Sequence, residues 1–331
     1  MKILINPYPH IFQNKGGIQK RVLEHQRLLL EKNYQIEIFN PSISVKKFDI
    51  LTTFKPQYGN YDVFLEAKRN RLKTVTHVIH ELPNNYLQYL VSKYTSKIPF
   101  FISNFRRKII ENSDALIALS DSEKSFLVKK YNVDEAKIFV VPNAINTNLF
   151  IKEKTTIFLE KYNINEPYIL SVGRIEQNKN QLSIAEAIKD LGIKLILIGE
   201  KIDKEYVKEI EQYDFVQIIE DITYSSEELI SAYKNSSLFI LASFKEISPN
   251  TVIEAALCNI PLICTSNTFT IKQYFKDEIE YINPNSIGDI KSKVKKVLSN
   301  EEVNKSIKEI ALNNFSEEKV IERHLKIYNS L

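Results

Sequence analysis

One alternation runs through this chain twice and narrows its fold more than any other feature. Short apolar runs take turns with longer segments whose apolar residues recur at helical spacing. In the first half the strand-like runs are residues 2–6, 35–39, 62–65, 74–79, 115–119 and 138–141. Helical patterns lie between them, clearest at 18–32, where Val22, Leu23, Leu29 and Leu30 are apolar, and at 123–131. The pattern restarts after about residue 165, with strand-like runs at 168–172, 194–198, 216–219, 237–241, 261–264 and 279–282. Helical segments at 181–191, 204–212, 227–234, 250–257 and 289–298 separate them. Strand–helix alternation at this spacing predicts parallel sheets covered on both faces. Two such runs predict an α/β protein of two Rossmann-like, doubly wound domains facing a central cleft. The expected divisions are 1–150, 151–310 and a last helical stretch, 311–331, that packs back on the first domain.

The length of 331 residues suits two domains with full cores. Apolar residues make up 44% and charged residues 26%, which excludes disorder. No apolar run approaches the ~18 residues that cross a bilayer, and the apolar start, Met1 to Pro7, is too short for a signal peptide. Two cysteines, Cys258 and Cys264, build neither a disulfide framework nor a zinc site. The expected compartment is the cytoplasm.

Charge is uneven. Residues 1–150 hold 22 Lys and Arg against 13 Asp and Glu, whereas 151–331 hold 23 against 28. A basic first half suits either an anionic partner or an ordinary solvated surface. Its small basic groups (Lys46-Lys47, Lys68-Arg69, Arg106-Arg107-Lys108) lack the aromatic interleaving of RNA readers, so no nucleic-acid partner is expected. They fit an anionic membrane surface better. Residues 85–111 mix Leu87, Val91, Tyr94, Phe101 and Ile102 with those cations. This stretch reads either as a peripheral membrane contact or as a helix packed on the sheet with a basic end.

Ligands of open α/β sheets bind beyond the carboxyl ends of the strands, and the unusual residues fall there. Gly16 and Gly17 follow the first strand and open a helix, which suits a phosphate or a plain turn. The spacing is not the G-x-G-x-x-G of dinucleotide binders. Gly173 lets the chain turn off a second-half strand, and Arg174 and Lys179 follow in the loop. Two cations there either hold a diphosphate or are solvated. A third group is Glu246, Ser248, Asn250, Thr251 and Glu254. Ser248 reads as an N-cap and Pro249 as the first helical residue, with the N–H groups of Asn250 and Thr251 turned to the site. Glu254 lies in an otherwise apolar run, where an unpaired carboxylate is rare. Carboxylates accept from hydroxyls, so sugar is a natural ligand.

Together these segments resemble glycosyltransferase family 4, on the GT-B fold. Glu246 to Glu254 resembles the family's E-x7-E motif, continued by Ala255-Ala256-Leu257-Cys258-Asn259-Ile260-Pro261. Gly173-Arg174 with Lys179 resembles its G-R…K pattern, and Gly16-Gly17-Ile18-Gln19 its N-terminal loop. Val141-Pro142-Asn143-Ala144-Ile145-Asn146 resembles its interdomain segment, and His80-Glu81 its histidine loop. The resemblance implies retaining transfer of a sugar from a nucleotide-sugar, a UDP-sugar ahead of a GDP-sugar, without metal or cofactor. The implied acceptor is a hydroxyl of a glycan or lipid-linked glycan in a cell-surface polysaccharide pathway. Arg174 and Lys179 would hold the diphosphate, Glu254 the ribose and Glu246 the sugar hydroxyls. Gly16 and Gly17 would approach the phosphates, and His80 would border the reacting carbon, with His77 a core residue. Residues 220–222 follow a strand where the family often contacts the base. Ile247, Asn259 and Ala144 stand where the family has glycine; Asn tolerates a left-handed backbone. A GT-B sugar-nucleotide epimerase and a catalytically silent GT-B subunit remain as alternatives.

Overall fold

The computed structural model describes residues 1–13, 17–79, 86–99, 101–224, 226–299 and 306–331. Two compact units make up the chain: Met1–Ala144 with Glu317–Leu331, and Ile145–Ser316. The first contains β1 (Lys2–Asn6), α1 (Gly17–Glu31), β2 (Gln35–Ile38), β3 (Ile50–Phe54), α2 (Tyr61–Arg69) and β4 (Lys73–His77). It continues with α3 (Tyr86–Thr95), α4 (Ile102–Asn112), β5 (Ala115–Ala118), α5 (Asp121–Tyr131) and β6 (Ile138–Val140). All pairings are parallel, in the order β2-β1-β3-β4-β5-β6.

One strand differs from the sequence expectation. Residues 62–65 lie in helix α2, and the strand is β3, a dozen residues earlier. Ile50 to Phe54 are buried throughout and pair with β1 on one side and β4 on the other. Asp62-Val63-Phe64-Leu65 is strand-like in composition, but Phe64 and Ala67 share one buried helical face. A turn at Tyr58–Asn60 with reciprocal Gln57 and Asn60 hydrogen bonds starts that helix.

The second unit runs through α6 (Asn148–Ile151), α7 (Ile157–Tyr162), β7 (Tyr168–Val172), α8 (Gln181–Ile188), β8 (Lys194–Ile198), α9 (Lys204–Ile210) and β9 (Val216–Ile219). It ends with α10 (Glu227–Asn235), β10 (Leu238–Leu241), α11 (Asn250–Leu257), β11 (Leu262–Thr265), α12 (Phe269–Phe275), β12 (Glu280–Ile282), α13 (Ile287–Leu298) and α14 (Ser306–Phe315). Its parallel sheet is ordered β12-β11-β10-β7-β8-β9. The chain builds outward from β7 through β8 and β9, then returns to the other side of β7 as β10. The switch point, where an open α/β sheet binds its ligand, therefore lies between β7 and β10. Apolar clusters cover both faces of the sheet.

Helix α14 runs through the expected boundary at residue 311 and belongs to the second unit. The last helix, α15 (Glu317–Asn329), belongs to the first, where Val320, Ile321, His324, Ile327 and Tyr328 are buried. Its Glu317 pairs with Arg27 of α1.

Beneath α15 lies a cluster of aromatic rings. His77 stacks on Phe54 at 3.9 Å and on His324 at 5.2 Å, and His25 meets both histidines edge-on. The His25 ring bonds the Tyr328 hydroxyl at 2.7 Å, and that hydroxyl donates to Thr52. Burial lowers all three histidine pKa values, His324 to about 3. One nitrogen of each ring lies within 4.8 Å of the others, a spacing compatible with ligating a metal. Two features oppose that use. Arg21 donates to His77 Nδ1 at 3.3 Å, which leaves the proton of a neutral His77 on Nε2. A cation would also meet the Arg21 guanidinium. The trio is a packed group of neutral rings.

Candidate functional site

The described site residues of the second unit gather on two loops at the carboxyl ends of β7 and β10 and on α11, which follows the second loop. The first loop leaves β7 at Gly173, whose φ of +156° disfavours any residue with a Cβ. A Cβ there would lie 3.5 Å from Lys179 Cε, so the lysine stem runs across the glycine. Gly199, just after β8, was not singled out from the sequence. A Cβ on it would fall 2.1 Å from the Gly173 carbonyl oxygen. Its signal was there: a glycine directly after a strand, in a chain with only seven.

Three side chains hold the first loop. Asn180, at φ +57°, donates to the carbonyls of Ala242 (3.1 Å) and Pro284 (2.8 Å). Asn178 donates to Lys245 O at 3.2 Å, and its own carbonyl accepts from Phe244 N–H. Gln181 reaches back to the Arg174 carbonyl at 2.8 Å. The two loops thus form one platform across the switch point.

Lys179 and Glu246 meet on it. Nζ lies 2.5 Å from Oε1, and the side chains are 18% and 12% exposed. Glu246 is fixed through its backbone: its N–H donates to Asn267 O, and it bridges Thr268 in parallel. The next carbonyl, of Ile247, accepts from Thr270 Oγ1 at 2.9 Å, which anchors the residue that replaces a glycine. Arg174 is exposed and pairs with Glu176 at 2.8 Å.

Helix α11 begins one residue later than the sequence suggested. Pro249 is the N-cap, extended at ψ 112°, and Ser248 precedes the cap instead of forming it. A residue before proline is pushed toward extended backbone, so Ser248 does not enter the helix. The leading N–H groups are those of Asn250 and Thr251. Asn259, after the helix, has φ +54°, the conformation expected where asparagine replaces glycine. Glu254 is fully buried in α11, and its Oε2 accepts from the Tyr233 hydroxyl at 2.8 Å.

In the first unit, Gly17 opens α1 and is exposed. Gly16 and His80 lie outside the described residues. His77 is a buried core residue at the end of β4. Chemically, the second-unit platform offers cations to an anion and carboxylates to hydroxyls, side by side. A phosphorylated sugar presents both.

Comparison with known proteins points the same way. Residues 154–314 match the model for glycosyl transferases group 1, and residues 42–149 match that for glycosyltransferase family 4. A Campylobacter jejuni enzyme named N-acetylgalactosamine-N,N'-diacetylbacillosaminyl-diphospho-undecaprenol 4-alpha-N-acetylgalactosaminyltransferase is 23% identical over 63% of this chain. The Escherichia coli serotype-specific mannosyltransferase WbdA is 23% identical over 80% of it. The alignments span 58% and 34% of those relatives' own lengths. Anabaena HepE, solved in complex with UDP, superposes over the full length of both chains with a TM-score of 0.78 at 14% identity.

Proposed function

Because this chain belongs to glycosyltransferase family 4 and has the GT-B fold, we propose that it transfers a sugar from a nucleotide-sugar to an acceptor hydroxyl. The observation that carries this reading is the Lys179–Glu246 pair, held at the switch point on two stitched loops. Lys179 and Arg174 hold the donor's diphosphate. Glu246 accepts from the sugar hydroxyls and Glu254 from the ribose, and the N–H groups of Asn250 and Thr251 face the same ligand. Gly16, Gly17 and His80 keep the roles the family resemblance implies. The donor is a UDP-sugar before a GDP-sugar, in keeping with the UDP bound by HepE. The acceptor is a glycan or lipid-linked glycan of a surface polysaccharide, as the names of the relatives suggest.

Transfer proceeds with retention and without metal. The bond from the anomeric carbon to the diphosphate oxygen breaks, and the acceptor oxygen bonds to that carbon on the same face. The acceptor proton passes to the leaving diphosphate. Lys179 and Arg174 then act where negative charge develops, the place where fixed charges lower a barrier most.

A panel of UDP-, GDP- and ADP-sugars tests the donor. Ligand at ~100 times its dissociation constant adds about 2.7 kcal/mol of stability, a rise of several degrees in Tm. One nucleotide class raises Tm, and Arg174→Ala abolishes the rise. If no class shifts the folded protein, the donor reading fails. Turnover of the donor without acceptor would instead identify an epimerase.

The acceptor side includes an anionic membrane surface. Among the described residues of α3 none is buried, and Leu87, Val91 and Tyr94 form one exposed apolar face, Leu87 being 70% exposed. Ile98, Phe101 and Ile102 are exposed too, and so are Lys97 and Lys108 nearby in sequence. This is the pattern of an interfacial contact. No described helix is long and apolar enough to cross a membrane. The protein co-sediments with anionic phospholipid vesicles at low salt, and Leu87→Glu with Val91→Glu abolishes this. Sedimentation unaffected by the double change would remove the membrane from the reading.

A further inference from the structure

The buried carboxylate of Glu254 has a neighbour that the reaction described so far does not use. Tyr233 lies on α10, is fully buried, and packs its ring against Phe239 with centroids 5.6 Å apart. Its hydroxyl donates to Glu254 Oε2 at 2.8 Å. Helical side chains lean toward the helix N-terminus. Glu254 is one turn beyond Asn250, near the end of α11 where the platform lies. A carboxylate on a flexible stem can turn about its last torsion, and a hydrogen-bond donor restrains it. Burial, and then the carboxylate itself, push the tyrosine pKa well above its ordinary value. The phenol therefore keeps its proton and acts as a fixed donor.

We propose that Tyr233 is a positioning residue that holds Glu254 in the orientation that recognises the ribose hydroxyls of the donor nucleotide. This rests on the donor site proposed above. The ribose hydroxyls are donors, and a carboxylate held in place meets them without the cost of being ordered on binding. Tyr233 thus contributes to selection of a ribonucleotide without touching it.

The test measures the affinity of the full-length protein and of Tyr233→Phe for UDP, GDP and ADP and for their 2′,3′-dideoxy forms. Phenylalanine keeps the ring against Phe239, and a melt of each protein checks the fold. Tyr233→Phe weakens the preferred nucleotide roughly tenfold, the scale of one hydrogen bond to a charged group. It leaves the dideoxy form within twofold, because the interaction that Tyr233 supports is absent from that ligand. A residue that only ties α10 to α11 would weaken both equally, and that result overturns the proposal. So does unchanged affinity for the ribonucleotide. A folded wild-type protein that binds none of the six ligands overturns the donor site itself, and this inference with it. Glu254→Gln supplies the second arm: the Tyr233→Phe change made on that background costs less than on the wild type, because the charged partner is already gone.

Discussion

Lys179→Ala lowers kcat/KM for sugar transfer by about 10²–10³-fold, the loss typical when a group that stabilises developing charge is removed. The structure gives two reasons for an effect at the upper end. Lys179 is the enclosed cation of the site, lying across Gly173, whereas Arg174 is exposed and paired with Glu176. Its removal also leaves Glu246, only 12% exposed, without its ion-pair partner beside the proposed diphosphate position. Charge repulsion then adds to the lost attraction. Lys179→Ala combined with Glu246→Gln therefore recovers part of the nucleotide affinity that the single change loses, while transfer stays low. Nucleotide affinity is read by titration and transfer by release of the nucleoside diphosphate. Activity of the alanine variant within tenfold of wild type would remove Lys179 from the reaction.

Lowering the pH from 7 to 5 destabilises the first unit, by about 2 kcal/mol through His324 alone and further through His25 and His77. The sign follows from the depressed histidine pKa values. In the unfolded chain, His25, His77 and His324 take up protons below about pH 6.5. In the folded unit burial keeps them neutral, with the Arg21 guanidinium acting in the same direction on all three and Arg323 on His324. The unfolded state then binds more protons, so stability is complete above pH 6.5 and is lost as pH falls toward the folded values. Melts across this pH range measure it. His324→Phe keeps a ring in the stack and lowers the slope. A first unit that melts at the same temperature at pH 5 and pH 7 would show that the cluster is protonated or solvated when folded.

The strands of the second unit were legible in the sequence because they are short and mainly apolar, whereas the short helices α6, α7 and α12 were not read. Residues 168–172, 194–198 and 216–219 were read to the residue. The first unit was harder at one place. Ile50-Leu51-Thr52-Thr53-Phe54 contains two threonines, which dilute the apolar signal, although both are fully buried at the sheet centre. Asp62 to Leu65 looks like a strand until Phe64 and Ala67 are seen on one helical face. The candidate site was legible by residue type but not by its ties. Nothing in one sequence links Lys179 to Glu246, Asn180 to Pro284 or Tyr233 to Glu254, because sheet order creates those contacts. The histidine cluster was unreadable for the same reason: its members come from α1, β4 and α15.

The return of α15 to the first unit has a consequence for how the protein is made. Most of the first unit is synthesised before the second, but it lacks one of its helices until Asn329 has been added. The 172 residues of Ile145–Ser316 are synthesised in the interval. At ordinary elongation rates that takes roughly 10–30 s. Throughout it, the ring-lined patch that α15 covers stands open on the nascent chain, so the unit translated first is the last to be completed.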